Sequence, residues 1–301
     1  MSSDRPLRLA SWNVNGVRAA AKKGFATWLA SDLDVVALQE VRADRAQLEA
    51  ALVGTGTWCV ASAAAEKPGY SGVALLSRHE PDDVSISLGD PAFDAEGRYV
   101  RMRFGALHVV SAYMPNGSGK DRDNSRVPFK LAFYKHLRAE LESVVAPGGA
   151  VVVLTDANTA PYAIDLARPK ENEKTSGFLL EEREELQHWF RSGWTDGFRA
   201  KNAAENHFTW WAQRGDCRAR NVGWRIDLAL LFGSGAAHLD ACWHEPDVLG
   251  SDHCPIGLSL DRRVVGGALR SLAQPSPSEH PSRLSAEPAD GEIGRARAPR
   301  R

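Results

Sequence analysis

Along this chain, short apolar runs repeatedly end on a single polar or charged side chain. Val151-Val152-Val153-Leu154-Thr155 is nearly unbroken and rich in β-branched residues, is bounded by Gly148-Gly149 and Pro161, and stops at Asp156 and Asn158. That length and composition predict a strand covered on both faces, with the carboxylate and the amide just past its C-terminal end. Residues 7–13 alternate toward Asn13-Val14-Asn15-Gly16, and residues 34–40 stay apolar almost to Glu40. Residues 99–104 and 106–113 form a predicted hairpin about Gly105, whose second strand closes on Tyr113-Met114-Pro115-Asn116. Residues 70–77 make a further strand with no ionisable group at its end, which places it in the core.

Helical spacing marks residues 24–33, residues 128–145 with Phe129, Phe133, Leu137 and Leu141 on one stripe, and residues 181–190. The run Glu181-Glu182-Arg183-Glu184-Glu185 is assigned to the solvated side of the last of these. Residues 208–211 and 225–232 are predicted strands flanking a basic loop, in which Arg214, Arg218, Arg220 and Arg225 accompany Trp224. A final strand, ending near residue 260, is entered through Ser251-Asp252-His253. Strands with interspersed helices, and apolar runs in both halves, predict an α/β protein: two mixed β-sheets packed face to face and flanked by helices. Residues 1–261 are read as one domain. Residues 262–301 turn to Pro, Ser, Ala and Arg and are read as a disordered tail.

Composition narrows the partners. A hydrophobic fraction of 43% in 301 residues is ample for a core, while 37 basic against 38 acidic residues leave a net charge of −1. No global basic field advertises nucleic acid, so a polyanion must be met by a local patch or a bound cation. The four cysteines lack CxxC spacing and no charged-then-apolar leader opens the chain, which predicts reduced thiols, a cytoplasmic location and no zinc site. No apolar run approaches a membrane span, and a monomer is expected.

The strand-end residues Asn13, Glu40, Tyr113, Asp156, Asn158, Asp227, Asp252 and His253 make an oxygen-rich set. Singly, each has a plain reading: Asp and Asn after strands cap turns, and a terminal Glu is ordinarily solvated. A lone histidine, such as His108 or His136, is ordinarily structural. Together they suit a hard divalent cation, Mg2+ or Mn2+, and carboxylates gathered this way repel one another without one. Asp227, followed by apolar residues, sits near the sheet interior and needs a partner, for which a histidine is economical. Packing is the default for Trp210, Trp211 and Trp224. The interleaved arginines favour an aromatic surface for a sugar or base.

Seven ordered motifs give these residues a family resemblance. Ser11-Trp12-Asn13-Val14-Asn15-Gly16, Leu38-Gln39-Glu40, Tyr113-Met114-Pro115-Asn116-Gly117 and Asp156-Ala157-Asn158 are followed by Ser176-Gly177-Phe178 with Glu181-Glu182-Arg183. Asn221-Val222-Gly223-Trp224-Arg225-Ile226-Asp227 and Ser251-Asp252-His253-Cys254-Pro255 complete the series. In this order they resemble exonuclease III and related abasic-site endonucleases, over about residues 7–260. The resemblance implies a four-layer α/β sandwich and Mg2+-dependent cleavage of double-stranded DNA on the 5′ side of abasic sites. It also implies 3′ to 5′ exonuclease and 3′ end-trimming activity.

It further implies that Glu40 binds the metal directly, with Asn13, Asn15 and Asp252 nearby and Asp156, Asn158 and His253 in the metal-facing set. Asp156 would deprotonate the attacking water. Asn158, Tyr113 and His253 would hold phosphate oxygens, Asp227 would pair with His253, and Asn116 would contact a phosphate. Trp210, Trp224 and Ile226 match the lining of the pocket for a flipped-out abasic sugar. Thr155, Ala157 and Leu228 depart from the usual Gly, bulky apolar residue and Tyr of this family. The loop after Asn116 lacks the arginine that some relatives insert into the duplex. Two other readings stay open: a phosphodiesterase acting on RNA or small phosphate esters, and a catalytically silent DNA-binding module.

Overall fold

Residues 150–156 form the strand Ala150–Asp156, buried along its whole length, in a computed structural model that describes residues 5–121 and 123–272. It pairs parallel with Leu107–Tyr113 and antiparallel with Asp227–Gly233. A central strand has no solvent face, which is why its sequence carries no polar alternation. Thr195–Asp196, Tyr99–Phe104 and Asp83–Ser85 complete this six-stranded sheet. The other six-stranded sheet runs in space Leu239–His244, Ile256–Leu260, Leu7–Asn13, Val35–Gln39, Val73–Ser77 and Cys59–Ala63. Leu7–Asn13 and Val35–Gln39 pair parallel and their neighbours antiparallel, so both sheets are mixed.

The sheets pack face to face. Leu9, Val35, Leu75 and Leu258 of one share a core with Met102, Val109, Val152 and Leu231 of the other. On the outer face of the sheet that holds Ala150–Asp156, Val110, Val153 and Leu230 meet Phe133, Tyr134, Leu137 and Leu141 of the helix Val127–Val144, and Leu186 and Trp189 of the helix Leu180–Arg191. Trp12, Val36 and Leu38 on the opposite outer face meet Val17, Phe25, Trp28 and Leu48 from short helices. The layers therefore run helix, sheet, sheet, helix, the four-layer sandwich expected. Pro128 lies in the first turn of the long helix, where its missing N–H costs nothing.

Three expectations change. The acidic run is not wholly solvated, because Glu182 is fully buried and Glu185 nearly so. The signal was in the spacing: Glu182 and Glu185 share one helical stripe with Leu186 and Trp189. The helical pattern at 24–33 yields only Phe25–Leu29. The ordered body also continues past Asp261, since Arg262–Val265 form a 3-10 turn whose Val264 and Val265 are buried in the core between the sheets. Arg262 is held there by the carbonyl of Arg5 and the carboxylate of Asp34. The rest of the expected tail, residues 273–301, lies outside the described residues.

Candidate active site

Strand register gathers the polar ends before any side chain is considered. Tyr113 is the parallel partner of Asp156, and Asp227 is its antiparallel partner. In the facing sheet Asn13 pairs with Gln39, and Glu40 follows directly. Ser251 leads Asp252 and His253 toward the neighbouring strand, its hydroxyl donating to the Asn13 carbonyl at 2.8 Å. The chain leaves three of these strands through left-handed backbone at Asn15, Glu40 and Asn158, with φ near +48°. Residues other than glycine adopt that conformation at a cost and mostly where surroundings enforce it.

A cavity of about 820 Å³ opens at this edge. It is lined by Asn15, Glu40, Tyr113, Asn116, Asp156, Asn158, Asp252 and His253, and by Trp210, Trp224 and Ile226. Of the residues expected from sequence, only Asn13 and Asp227 lie behind the wall, and both touch residues in it. Asn13 Nδ2 donates to Glu40 Oε1 at 3.0 Å and to Asp156 Oδ2 at 2.8 Å, a link across the two sheets. Asp227 meets His253 Nδ1 at 2.9 Å, the pairing foreseen.

Ligand atoms of Glu40, Asp156 and His253 lie within 4.8 Å of one another. The other members of the expected metal set are placed differently. Asn13 turns its nitrogen to the carboxylates because its oxygen accepts the Asn15 N–H at 3.0 Å, so in this arrangement it is a donor and not an oxygen ligand. Both oxygens of Asp252 are engaged, by Asn15 Nδ2 at 2.7 Å and Trp210 Nε1 at 3.1 Å. Asn158 Nδ2 donates to the Met114 carbonyl and its Oδ1 accepts from Asn116. Two carboxylates without a thiolate, with the imidazole beside them, fit a hard divalent cation.

Electrostatics divides the labour. Burial pushes the Asp156 carboxyl up to about 7, and Asp227 and Glu40 push the same way against the lowering effect of His253. Burial alone would depress His253, but the carboxylates of Asp227 and Asp156 outweigh it and raise the imidazole to about 10. Burial, with Glu40 and Asp156 nearby, also holds the Tyr113 phenol well above its ordinary range, so it stays a neutral O–H donor, here to Glu40 Oε1 at 2.9 Å. For Asp252, burial is overcome by His253 and by the Asn15 and Trp210 hydrogen bonds, which keep the carboxyl ionised below its usual range.

Beside these groups lies an apolar alcove. Trp210 and Trp224 meet edge to face at 6.4 Å and pack with Phe178, Leu166, Ala160 and Ile226. The basic loop supplies less of this surface than its composition suggests. Arg225 is fully buried, paired with Asp165 and Asp196. Arg218 lies over Trp211 and donates to the carbonyls of Ser251, Pro246 and Val248. Only Arg214 of the four lines the cavity.

Arg42, which sequence reasoning passed over, also lines the cavity and its guanidinium contacts Glu40. Its place two residues after Leu38-Gln39-Glu40 was the available signal. With Arg18, Lys22 and Lys23 it borders an adjoining cavity, a local basic patch on a protein of almost no net charge. All four cysteines are free. Among the described residues no helix is long and apolar enough to cross a membrane.

Comparison with known proteins agrees with this geometry. The model of the Endonuclease/Exonuclease/phosphatase family matches residues 10–253. An exodeoxyribonuclease of Bacillus subtilis is 34% identical over 259 residues, which cover 85% of this chain and all of that protein. The DNA repair nuclease APEX1 of Danio rerio is 34% identical over 261 residues, covering 84% of this chain and 82% of the relative. Among solved structures, an AP endonuclease from Archaeoglobus fulgidus superposes with a TM-score of 0.76 at 26% identity, covering 85% of this chain and 99% of its own. The 3′ phosphatase NExo from Neisseria, bound to a product DNA hairpin, gives the same score, identity and coverage.

Proposed function

This chain belongs to the Endonuclease/Exonuclease/phosphatase family, and from that premise we propose that it is a DNA repair nuclease that hydrolyses the phosphodiester 5′ of abasic sites in double-stranded DNA. It also trims blocked 3′ ends and degrades 3′ to 5′. The observation that carries this reading is the apolar alcove of Trp210, Trp224 and Ile226 beside the group Glu40, Asp156 and His253. The polar group suits a phosphate, and the alcove suits a deoxyribose whose base is missing and which has swung out of the stack.

Glu40, with Asp156 and His253 beside it, would hold Mg2+, with Mn2+ as a substitute. The cation supplies charge neutralisation for the phosphate and for the departing 3′ oxygen. Everything else falls to side chains. Asp156, whose carboxyl burial raises above its ordinary value, accepts the proton of the attacking water. His253 stays protonated and, with the Asn158 amide and with the Tyr113 hydroxyl once it turns from Glu40, presents donors to the non-bridging phosphate oxygens. Asp227 orients and charges that imidazole from behind. Asn116 steadies Asn158 and faces the same phosphate. The basic patch of Arg18, Lys22, Lys23 and Arg42 takes the flanking backbone, in place of a global field. The enzyme is read as a monomer acting in the cytoplasm, and its free cysteines suit a reducing compartment.

The test is a duplex carrying one tetrahydrofuran abasic analogue, incubated with and without Mg2+, with products sized on a denaturing gel. A single cut 5′ of the analogue is expected, lost in EDTA. Asp156→Asn should cut that release by about a thousandfold or more while leaving duplex affinity within a few-fold. Equal cutting of intact duplex, or preference for RNA or a small phosphate ester, assigns a different substrate. Full turnover by Asp156→Asn removes the mechanism.

A further inference from the structure

We propose that the buried ion pair Lys130–Glu182, together with Tyr134, is a positioning device for the reaction: it fixes the backbone of Asn158 and of the turn at Ser176–Phe178, and thereby sets phosphate and sugar relative to Asp156. The inference rests on the function proposed above and deepens it by naming residues outside the cavity on which turnover depends.

Lys130 and Tyr134 stand one turn apart on the helix Val127–Val144 and face the same loop. Lys130 Nζ, with no exposure, donates to Glu182 Oε1 at 2.8 Å and to the Asn158 carbonyl at 2.6 Å. The Glu182 carboxylate, equally buried, also accepts from Ser176 Oγ at 2.9 Å, from the Gly177 N–H at 2.5 Å and from the Leu179 N–H at 3.1 Å. The Tyr134 hydroxyl donates to the Ala157 carbonyl, and Thr159 Oγ1 lies 3.0 Å from it. Beyond the pair itself, the contacts of Lys130 and Glu182 go to two loops that wall the cavity. Ser176 and Gly177 line it together with Asp156 and Asn158.

The two loops are also locked to each other. Gly177 has φ +98°, and a Cβ there would stand 3.0 Å from the Asn158 carbonyl oxygen and 3.1 Å from the Trp224 ring. Its own carbonyl accepts the Ala160 N–H. One turn of backbone thus touches both the phosphate side, at Asn158, and the sugar side, at Trp224. Asn158 itself is held at φ +49°, a conformation that needs enforcement.

A buried ion pair is a poor way merely to join two helices. Apolar residues of similar volume generally do that as well or better, because charges lose their hydration. What an apolar pair cannot do is direct a backbone carbonyl and three donors to fixed points. The arrangement also accounts for the motif Ser176-Gly177-Phe178 with Glu182 as one unit, a carboxylate and the donors it organises.

The experiment measures kcat and KM on the abasic duplex alongside thermal unfolding for Lys130→Met, for Lys130→Met with Glu182→Leu, and for Tyr134→Phe. Lys130→Met should lose stability and lower kcat by about ten- to a hundredfold, the scale of a misplaced reacting group. The double variant should regain part of the thermal stability, because no charge is left buried although the Gly177 and Leu179 N–H groups lose their acceptor, while kcat stays down by about tenfold or more with KM nearly unchanged. Tyr134→Phe keeps the ring and the fold and should lower kcat by about three- to tenfold at constant KM. Recovery of kcat together with stability in the double variant overturns the proposal, as does parental kcat in Tyr134→Phe. If neither Lys130 variant folds, Tyr134→Phe decides alone. A parent protein that spares the abasic duplex but cleaves another phosphodiester overturns the function instead, and the same kcat comparison on that substrate then decides the positioning role.

Discussion

A single pair of side chains carries much of the site's charge logic. Asp227 stands 2.9 Å from His253 Nδ1, and its carboxylate, with that of Asp156, lifts the imidazole to about 10 against the effect of burial. Asp227→Asn keeps an acceptor for the Nδ1 proton and removes the charge, so the imidazole titrates lower and loses its proton first at alkaline pH. The activity of the variant relative to the parent should therefore fall by about tenfold or more between about pH 6 and pH 9. Stability must move in the opposite sense. A folded-state value raised from 6.5 to about 10 contributes stability that is full below 6.5 and is lost as pH climbs toward 10. Urea unfolding should accordingly show the variant more destabilised at about pH 6 than at about pH 10. A pH-independent activity ratio would show that Asp227 orients the ring and does not charge it.

At the scale of elements, the strands that carry chemistry were legible because both the period and the abrupt polar ending are local signals. Ala150–Asp156, Val35–Gln39 and Leu107–Tyr113 all emerge within two residues of where their patterns place them. Arg225 was misread because nothing local marks its burial. Its partners Asp165 and Asp196 lie 60 and 29 residues away, in a 3-10 turn and on a two-residue strand. The departures Thr155 and Leu228 face each other across the two strands, a pairing visible only once the register is known. The hydroxyl of Thr155 finds no hydrogen-bond partner there. An arginine that ties elements together and one that grips DNA differ in a measurable way. Arg225→Met strands the buried Asp196 carboxylate, while Asp165 keeps Arg199, and should cost about 3–5 kcal/mol of folding stability. The slope of log affinity against log salt for duplex DNA should stay unchanged, whereas loss of a phosphate contact lowers it by about 0.9. A reduced slope with unchanged stability would return Arg225 to the DNA surface.

Across the whole molecule, the cavity sits on the seam between the sheets, and the candidate cation site draws on both. Glu40 follows a strand of one sheet, Asp156 ends a strand of the other, and Asn13 Nδ2 already spans them. The sequence shows that such residues exist, yet only packing of the two sheets brings them together, so the composition of the cluster was readable and its geometry was not. A cation shared by the two sheets should stabilise the entire sandwich, by about 2.7 kcal/mol at a hundred times its dissociation constant. Its effect should also depend on pH. Burial, with Asp227 and Glu40 nearby, raises the Asp156 carboxyl from 3.8 to about 7, so the protonated carboxyl's contribution to stability is lost as pH rises through that interval. Above it the metal-free protein holds an ionised cluster that a cation relieves. The rise in Tm on adding Mg2+ or Mn2+ should thus be larger at about pH 8 than at about pH 5.5, and Glu40→Gln should abolish most of it at both. Differential scanning fluorimetry with a matched ionic-strength control measures this directly. An equal rise in Glu40→Gln would place the cation elsewhere, and no rise in the parent would mean that the sheets close on this seam without one.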